Sequence, residues 1–245
     1  MTAKDLLAIF DGDDTLWEVE RLYDAALDRA AELVAAAGLP PDEWRVLQRQ
    51  MDLEHVLTMG MSPERFPLSS AMAVEEVARR HQLLLATELR DDVAKESRSV
   101  FTATAPLAPA AEAVLRRLHP HCHLALLTKG DRAVQERRIE SSGLAELFDR
   151  IEIVDAKSEA MFVQLAARFD VRPDEAWSIG NSLASDINPA LRAGLRAIWI
   201  DAHVWEYERR EAALEHPDLV ILDDLRAVPD IVLSTLTGSL PAVEA

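Results

Sequence analysis

The chain has 245 residues and a formal charge of −17, with 43 acidic residues against 26 basic ones, so as a whole it repels nucleic-acid phosphates. Charges interrupt every apolar stretch before the roughly 18 residues a membrane span needs, which argues against a membrane partner. Cys122 is the only cysteine, and the N-terminus lacks the basic flank and long apolar run of a secretory signal, so the expected setting is a reducing cytoplasm.

Leu6–Phe10 is a short apolar run that stops at Asp11, Gly12, Asp13 and Asp14, the pattern of a buried strand ending in a polar loop. From 17 to 103 the spacing is helical and continuous β-branched runs are almost absent, which predicts an inserted bundle of about four helices. Gly38, Leu39, Pro40 and Pro41 end one of these helices and start the next, with Asp42 and Glu43 in its first turn. Met59, Gly60 and Met61, followed by Pro63 and Pro67, predict a loop or kink.

Beyond the insert, strands and helices alternate. Helical patterns at 108–118, 132–142, 158–169 and 185–193 separate apolar runs at 122–127, 151–154, 176–179 and 197–200. Such alternation predicts an α/β fold: a Rossmann-like parallel sheet with helices on both faces, plus a smaller α-helical cap domain. The expected core is 1–16 with 104–245, the cap is 17–103, and the hinges lie near Trp17 and Pro106.

Ligands of parallel sheets collect where strands end at their carboxyl side, so the polar residues closing each run are the candidate site. These are Asp11 and Asp13 after the first run, Thr128, Lys129 and Gly130 after the second, Lys157 opening the helix after the third, and Gly180, Asn181 and Asp186 after the fourth. His119, His121 and His123 alternate at the opposite end of their strand and are read as structural rather than zinc-binding. Trp17 is read as packing or as a substrate gate, and the arginine doublets 79–80, 116–117, 137–138 and 209–210 as solvated helix faces.

Asp11-Gly12-Asp13-Asp14-Thr15 resembles the Asp-x-Asp-x-Thr first motif of the haloacid dehalogenase superfamily, and the remaining motifs follow in order. Thr128 resembles the hydroxyl residue of the second, Lys157 the lysine of the third, and Gly180-Asn181-Ser182 through Asp186-Ile187 the acidic fourth. The family's helical cap between its first two motifs matches the predicted insert. The resemblance implies a hydrolase, a phosphatase of small phosphorylated metabolites, with Asp11 as nucleophile and Asp13 as acid and base. It further implies Thr128, Lys129, Gly130 and Lys157 around the phosphate, and Mg²⁺ held by Asp11, Asp13 through its backbone carbonyl, Asn181 and Asp186. The expected assembly is a monomer or homodimer.

Two positions depart from the family pattern: Asn181 stands where Asp is usual, and Ser158 where Pro is common. A haloacid dehalogenase would use the same nucleophile on carbon but lacks the second acid, so Asp13 argues for the phosphatase. A phosphosugar mutase would share the phosphorylated intermediate. A non-catalytic binding module of the same fold is the remaining alternative, with Asn181 as its support.

Overall fold

The structure is a computed structural model that describes residues 4–201, 213 and 215–237. Six strands form one parallel sheet in the order β3-β2-β1-β4-β5-β6. They are β1 (Leu6–Phe10), β2 (Cys122–Lys129), β3 (Arg150–Val154), β4 (Ala176–Gly180), β5 (Arg196–Ile200) and β6 (Leu219–Leu222). The chain builds the sheet outward from β1 to β3, then returns to the other side of β1 for β4 to β6. This reversal opens a crevice at the carboxyl ends of β1, β2 and β4. Every residue of β1 and β4 is buried, as expected for strands covered on both faces, whereas β3, at the edge, is only half-buried throughout. Leu7, Ile9, Ala125, Leu127, Phe162, Leu165 and Ala176 pack one such core.

The helices of this part are α5 (Ala111–Leu118), α6 (Arg132–Ser142), α7 (Glu159–Arg168), α8 (Asn188–Arg192) and α9 (Val228–Ser234). Between β1 and α5 the chain forms the insert, α1 (Glu20–Ala36), α2 (Pro41–Met59), α3 (Arg65–Arg80) and α4 (Thr87–Arg98). Contacts divide the protein into two compact units: the described residues of Met1–Glu18, Pro106–Lys129 and Arg138–Ala245, and those of Val19–Ala105 with Gly130–Arg137.

In the helical unit the apolar positions of α1 (Ala26, Ala30, Val34) and α3 (Ala73, Val74, Val77) recur at helical spacing and close around the buried Trp44 of α2. Pro41 occupies the first turn of α2, where its missing N–H costs nothing. Gly38 at φ +78° and Gly60 at φ +59° supply the left-handed turns that end α1 and α2. Among the described residues no helix is long and apolar enough to cross a membrane.

Where the insert leaves and rejoins the sheet unit, the two chain segments lie side by side. Glu18 N–H donates to the Pro106 carbonyl at 2.8 Å, Ala108 N–H donates to the Leu16 carbonyl at 2.9 Å, and Trp17 pairs antiparallel with Leu107.

Three local expectations are corrected. The edge strand β6 was not expected, because a four-residue apolar run cannot be told from a helical turn by its period. Lys157 does not begin a helix: α7 starts at Glu159, with the extended Ser158 at its N-cap, so Lys157 sits in the preceding loop. The helix expected at 185–193 is two pieces, a wide turn at Leu183–Ile187 and then α8. In that turn the Ser182 carbonyl accepts from both Asp186 N–H at 2.8 Å and Ile187 N–H at 3.2 Å, the wide winding that recurs at functional sites. Arg209, Arg210 and the segment after Gly238 lie outside the described residues.

Candidate active site

Asp11 follows β1, and its N–H donates to the Ile179 carbonyl of β4 at 2.9 Å, which continues the β1–β4 ladder by one residue. Its carboxylate is therefore fixed at the crevice by backbone pairing. Lys157 Nζ donates to Asp11 Oδ1 at 2.6 Å and to Asp186 Oδ1 at 2.5 Å, and all three side chains are about nine-tenths buried or more. Two carboxylates thus share one ammonium. Burial pushes the Asp11 carboxyl up to about 7; the charge of Asp186 adds to the rise and Lys157 opposes it. For Lys157 burial favours the neutral amine, but Asp11 and Asp186 outweigh it and hold the ammonium above its usual range.

Asp186 is held from behind. Ser182 N–H donates to its Oδ2 at 3.0 Å, and Ser178 Oγ donates to its carbonyl at 2.8 Å. A Cβ on Gly180 would fall 2.4 Å from Asp186 Oδ2 and 2.6 Å from its Cβ, so only glycine at the end of β4 leaves room for this side chain. Asn181 is next in the chain, and the Thr15 hydroxyl lies 3.4 Å from both Asn181 Oδ1 and Asp11 Oδ2. Thr15 thus ties Asp11 to Asn181, whereas Asp13 is held by other residues.

Asp13 sits in a different environment from Asp11. The loop after Asp11 curls so that the Gly12 carbonyl accepts from Leu16 N–H at 2.8 Å, with Asp14 at φ +58°. This brings the indole of Trp17 back over Gly12, where a Cβ would meet its Cζ2 at 2.5 Å. Trp17 Nε1 donates to Asp13 Oδ1 at 2.7 Å, and Arg138 pairs with Asp13 Oδ2. Arg138 is only 6% exposed, which corrects the reading of the 137–138 doublet as solvated. Trp17 is buried as packing would have it, yet it also carries a polar contact to a candidate site residue.

Thr128 and Lys129 end β2. The Thr128 hydroxyl is fully buried and has no hydrogen-bond partner among the described residues, an arrangement that is costly unless another group completes it. Lys129 Nζ donates to Ser185 Oγ at 3.0 Å, which carries a second ammonium to the loop that bears Asp186. Gly130 follows at φ +144°, and a Cβ there would approach Gln135 Nε2 at 3.0 Å; no contact joins it to the Asp11 group. His123 stacks on Phe169 with ring centroids 4.7 Å apart.

The structure therefore brings together Asp11, Lys157, Asp186, Thr15 and Asn181 through a chain of contacts, and places Lys129 against Ser185. Sequence reasoning missed Arg138. Its helix has only Ala133, Val134 and Ile139 as apolar residues, so a helix that packs there must bury polar ones, and Gln135 and Arg138 are buried beside Ile139.

Asp11, Asp186 and Asn181 offer only oxygen atoms among their side chains apart from the Asn181 amide nitrogen, the donor chemistry suited to a hard divalent cation. No cluster of three His, Cys, Asp or Glu side chains able to hold a metal occurs among the described residues, since one member of this set is an amide. The buried trio of two carboxylates and one ammonium nevertheless fits an added cation, which would relieve the repulsion that raises Asp11.

Residues 7–194 match the haloacid dehalogenase-like hydrolase family. The chain belongs to that family. A phosphoserine phosphatase from Thermus thermophilus is 33% identical over 129 residues, covering 50% of this chain and 50% of that protein, so the chain spans half the length of this curated relative. A haloacid dehalogenase-like hydrolase from Xanthomonas campestris has the same fold, with a TM-score of 0.76 at 26% identity over 96% of this chain and 99% of the other. Bacillus subtilis YfnB, solved bound to magnesium, shares the fold at 18% identity, with a TM-score of 0.64 over 94% of this chain and 99% of the other. This haloacid dehalogenase-like hydrolase thus has its inserted helices α1–α4 after the first strand of a six-stranded parallel sheet.

Proposed function

We propose that the protein is a Mg²⁺-dependent phosphatase of small organic phosphate monoesters that works through an aspartyl-phosphate on Asp11. The observation that carries this reading is the contrast between two carboxylates two residues apart. Asp11 is buried against Lys157 beside Asp186, whereas Asp13 is held apart by Trp17 and Arg138 and is 28% exposed. Carboxyl groups in such different surroundings suit different tasks, one as nucleophile and one as proton carrier.

Lys157 fixes Asp11 Oδ1, which leaves Oδ2 to attack phosphorus. As the new O–P bond forms, the bond from phosphorus to the ester oxygen breaks, and Asp13 gives its proton to the departing alcohol. Asp13, now a carboxylate, takes a proton from water, whose oxygen attacks phosphorus; the Asp11–phosphorus bond breaks and inorganic phosphate leaves. The orphan Thr128 hydroxyl donates to a phosphoryl oxygen, which would complete its hydrogen bonding. Lys129 and the Gly130 amide border the same group, and Lys157 offsets its negative charge. Asp11, Asp186, Asn181 and the Asp13 carbonyl would hold Mg²⁺, which when bound supplies positive charge against the phosphoryl oxygens. The substrates are small phosphorylated metabolites, in line with the phosphatase among the relatives. Asp13 disfavours dehalogenation, which releases halide and has no alkoxide to protonate.

The test is hydrolysis of p-nitrophenyl phosphate and a panel of phosphorylated metabolites with Mg²⁺ or EDTA, for the wild type and Asp11→Asn. Activity that needs Mg²⁺ and Asp11, with a phosphate adduct on Asp11 detected by mass spectrometry after acid quench, is the expected result. Wild-type turnover no faster than Asp11→Asn on every ester would favour a non-catalytic module instead.

A further inference from the structure

The contact between Arg138 and Asp13 joins residues 125 positions apart and has no counterpart among the motifs. Its two ends differ in exposure: the Arg138 side chain is 6% exposed and that of Asp13 is 28% exposed. The guanidinium therefore lies behind the carboxylate, and the carboxylate faces outward. A buried guanidinium with a charge-assisted bond has little freedom to move, and it passes that order to its partner. On the other side, Trp17 Nε1 holds Asp13 Oδ1 at 2.7 Å, and the absence of a side chain on Gly12 lets the indole sit there. One donor on each oxygen fixes both torsions of the Asp13 side chain while leaving each oxygen a further lone pair.

We propose that Arg138 is a positioning residue that, together with Trp17, holds the Asp13 carboxyl in the orientation needed to pass a proton to the leaving alcohol. This rests on the phosphatase reading, in which Asp13 is the acid. Arg138 itself touches neither substrate nor metal. Its effect on rate passes through Asp13, so it must scale with how much the leaving group needs a proton. A nitrophenolate leaves with little help, whereas an alkoxide depends on the acid for a factor of roughly 10²–10⁴. Displacing a held group by about an ångström forfeits much of such a factor.

The experiment measures single-turnover release of the alcohol from p-nitrophenyl phosphate and from glycerol 2-phosphate, so that only phosphorylation of Asp11 is read. Wild type, Asp13→Asn, Arg138→Met and Arg138→Lys are compared, each with its thermal melt. Arg138→Met should slow glycerol release about 10- to 100-fold and nitrophenol release less than about 3-fold. The half-saturating substrate concentration should stay within about 2-fold, and Arg138→Lys should regain most of the glycerol rate, since the cation is restored. Equal slowing of both esters, or a change confined to half-saturation, would overturn the proposal. If Arg138→Met fails to fold, Arg138→Lys decides alone: a loss confined to glycerol 2-phosphate supports the role, and an equal loss on both esters refutes it. Asp13→Asn separates the two levels of inference. If it slows the two esters alike, the acid role of Asp13 falls and the proposal with it; if it discriminates between them and neither Arg138 variant does, only the role of Arg138 falls.

Discussion

Replacing Lys157 by Met keeps the length of the side chain and removes the one ammonium shared by Asp11 and Asp186. Taking one partner from a buried ion pair costs about 3–5 kcal/mol, because the remaining charge stays out of water. At about 2–4 °C per kcal/mol for a chain of this size, the melting temperature should fall by on the order of 10 °C at pH 8. The loss should depend on pH, and the sign can be worked out. The Lys157 ammonium is held above its ordinary 10.5, so in the wild type its contribution is intact across pH 5–8 and is lost only at higher pH. Asp11 is already raised from 3.8 to about 7, and without Lys157 it rises further. A carboxyl with a raised folded pKa contributes stability below 3.8 that disappears as pH climbs toward the folded value. The deficit of Lys157→Met should therefore be small near pH 4, where the carboxyls take up protons, and full at pH 8. Added Mg²⁺ should narrow it at pH 8, since a bound cation supplies the missing charge. Urea or thermal unfolding at both pH values, with Mg²⁺ and with EDTA, reads all three effects. A deficit of equal size at pH 4 and pH 8 would refute the reasoning, because it would report only altered packing.

Gly180→Ala should lower kcat/KM at least about 10-fold on any phosphate ester that the wild type hydrolyses, because the new Cβ collides with the Cβ and carboxyl of Asp186; steady-state kinetics that match the wild type would show that Asp186 can move at no cost. Asn181→Asp should reduce the Mg²⁺ concentration for half-maximal activity about 10-fold by adding a carboxylate to the ligand set, measured by metal titration of the rate; an unchanged midpoint would place residue 181 outside the metal site. Cys122 is buried in β2 and its thiol is pushed up to about 12 by burial, with Lys4 opposing, so it should resist Ellman's reagent in the folded protein at pH 8 and react within minutes in urea. Rapid labelling without denaturant would contradict the packing of β2.

Much of the architecture was legible because its signals are local and redundant. The β1 run and the residues around β2, β4 and β5 are continuous and apolar, and each stops at a polar residue, so both the strands and their carboxyl ends could be read directly. The four inserted helices announced themselves by helical spacing and by Gly38 and Pro41. The winding of Leu183–Ile187 was not legible, because it depends on which carbonyl Asp186 and Ile187 choose, a choice made by the fit of Asp186 beside Gly180. The candidate residues were readable from motif order, but their partners were not. Arg138 looked like any charged helix residue until a contact across 125 positions showed it beneath Asp13. Trp17 had the same difficulty, since one indole both fills space and donates a hydrogen bond, and only geometry says which carboxylate receives it.

At the neck of the insert, the strand pairing of Trp17 with Leu107 and the bonds from Glu18 and Ala108 bring the outgoing and returning chain to neighbouring points. For the sheet, everything between them counts as one closed excursion whose entropic cost grows only with the logarithm of its length. Helices of other number or size could be spliced between Glu18 and Pro106 without shifting the register of β1 against β2 or β4. The same doorway would thus let selection exchange whatever stands over the reaction centre while the chemistry beneath is inherited intact.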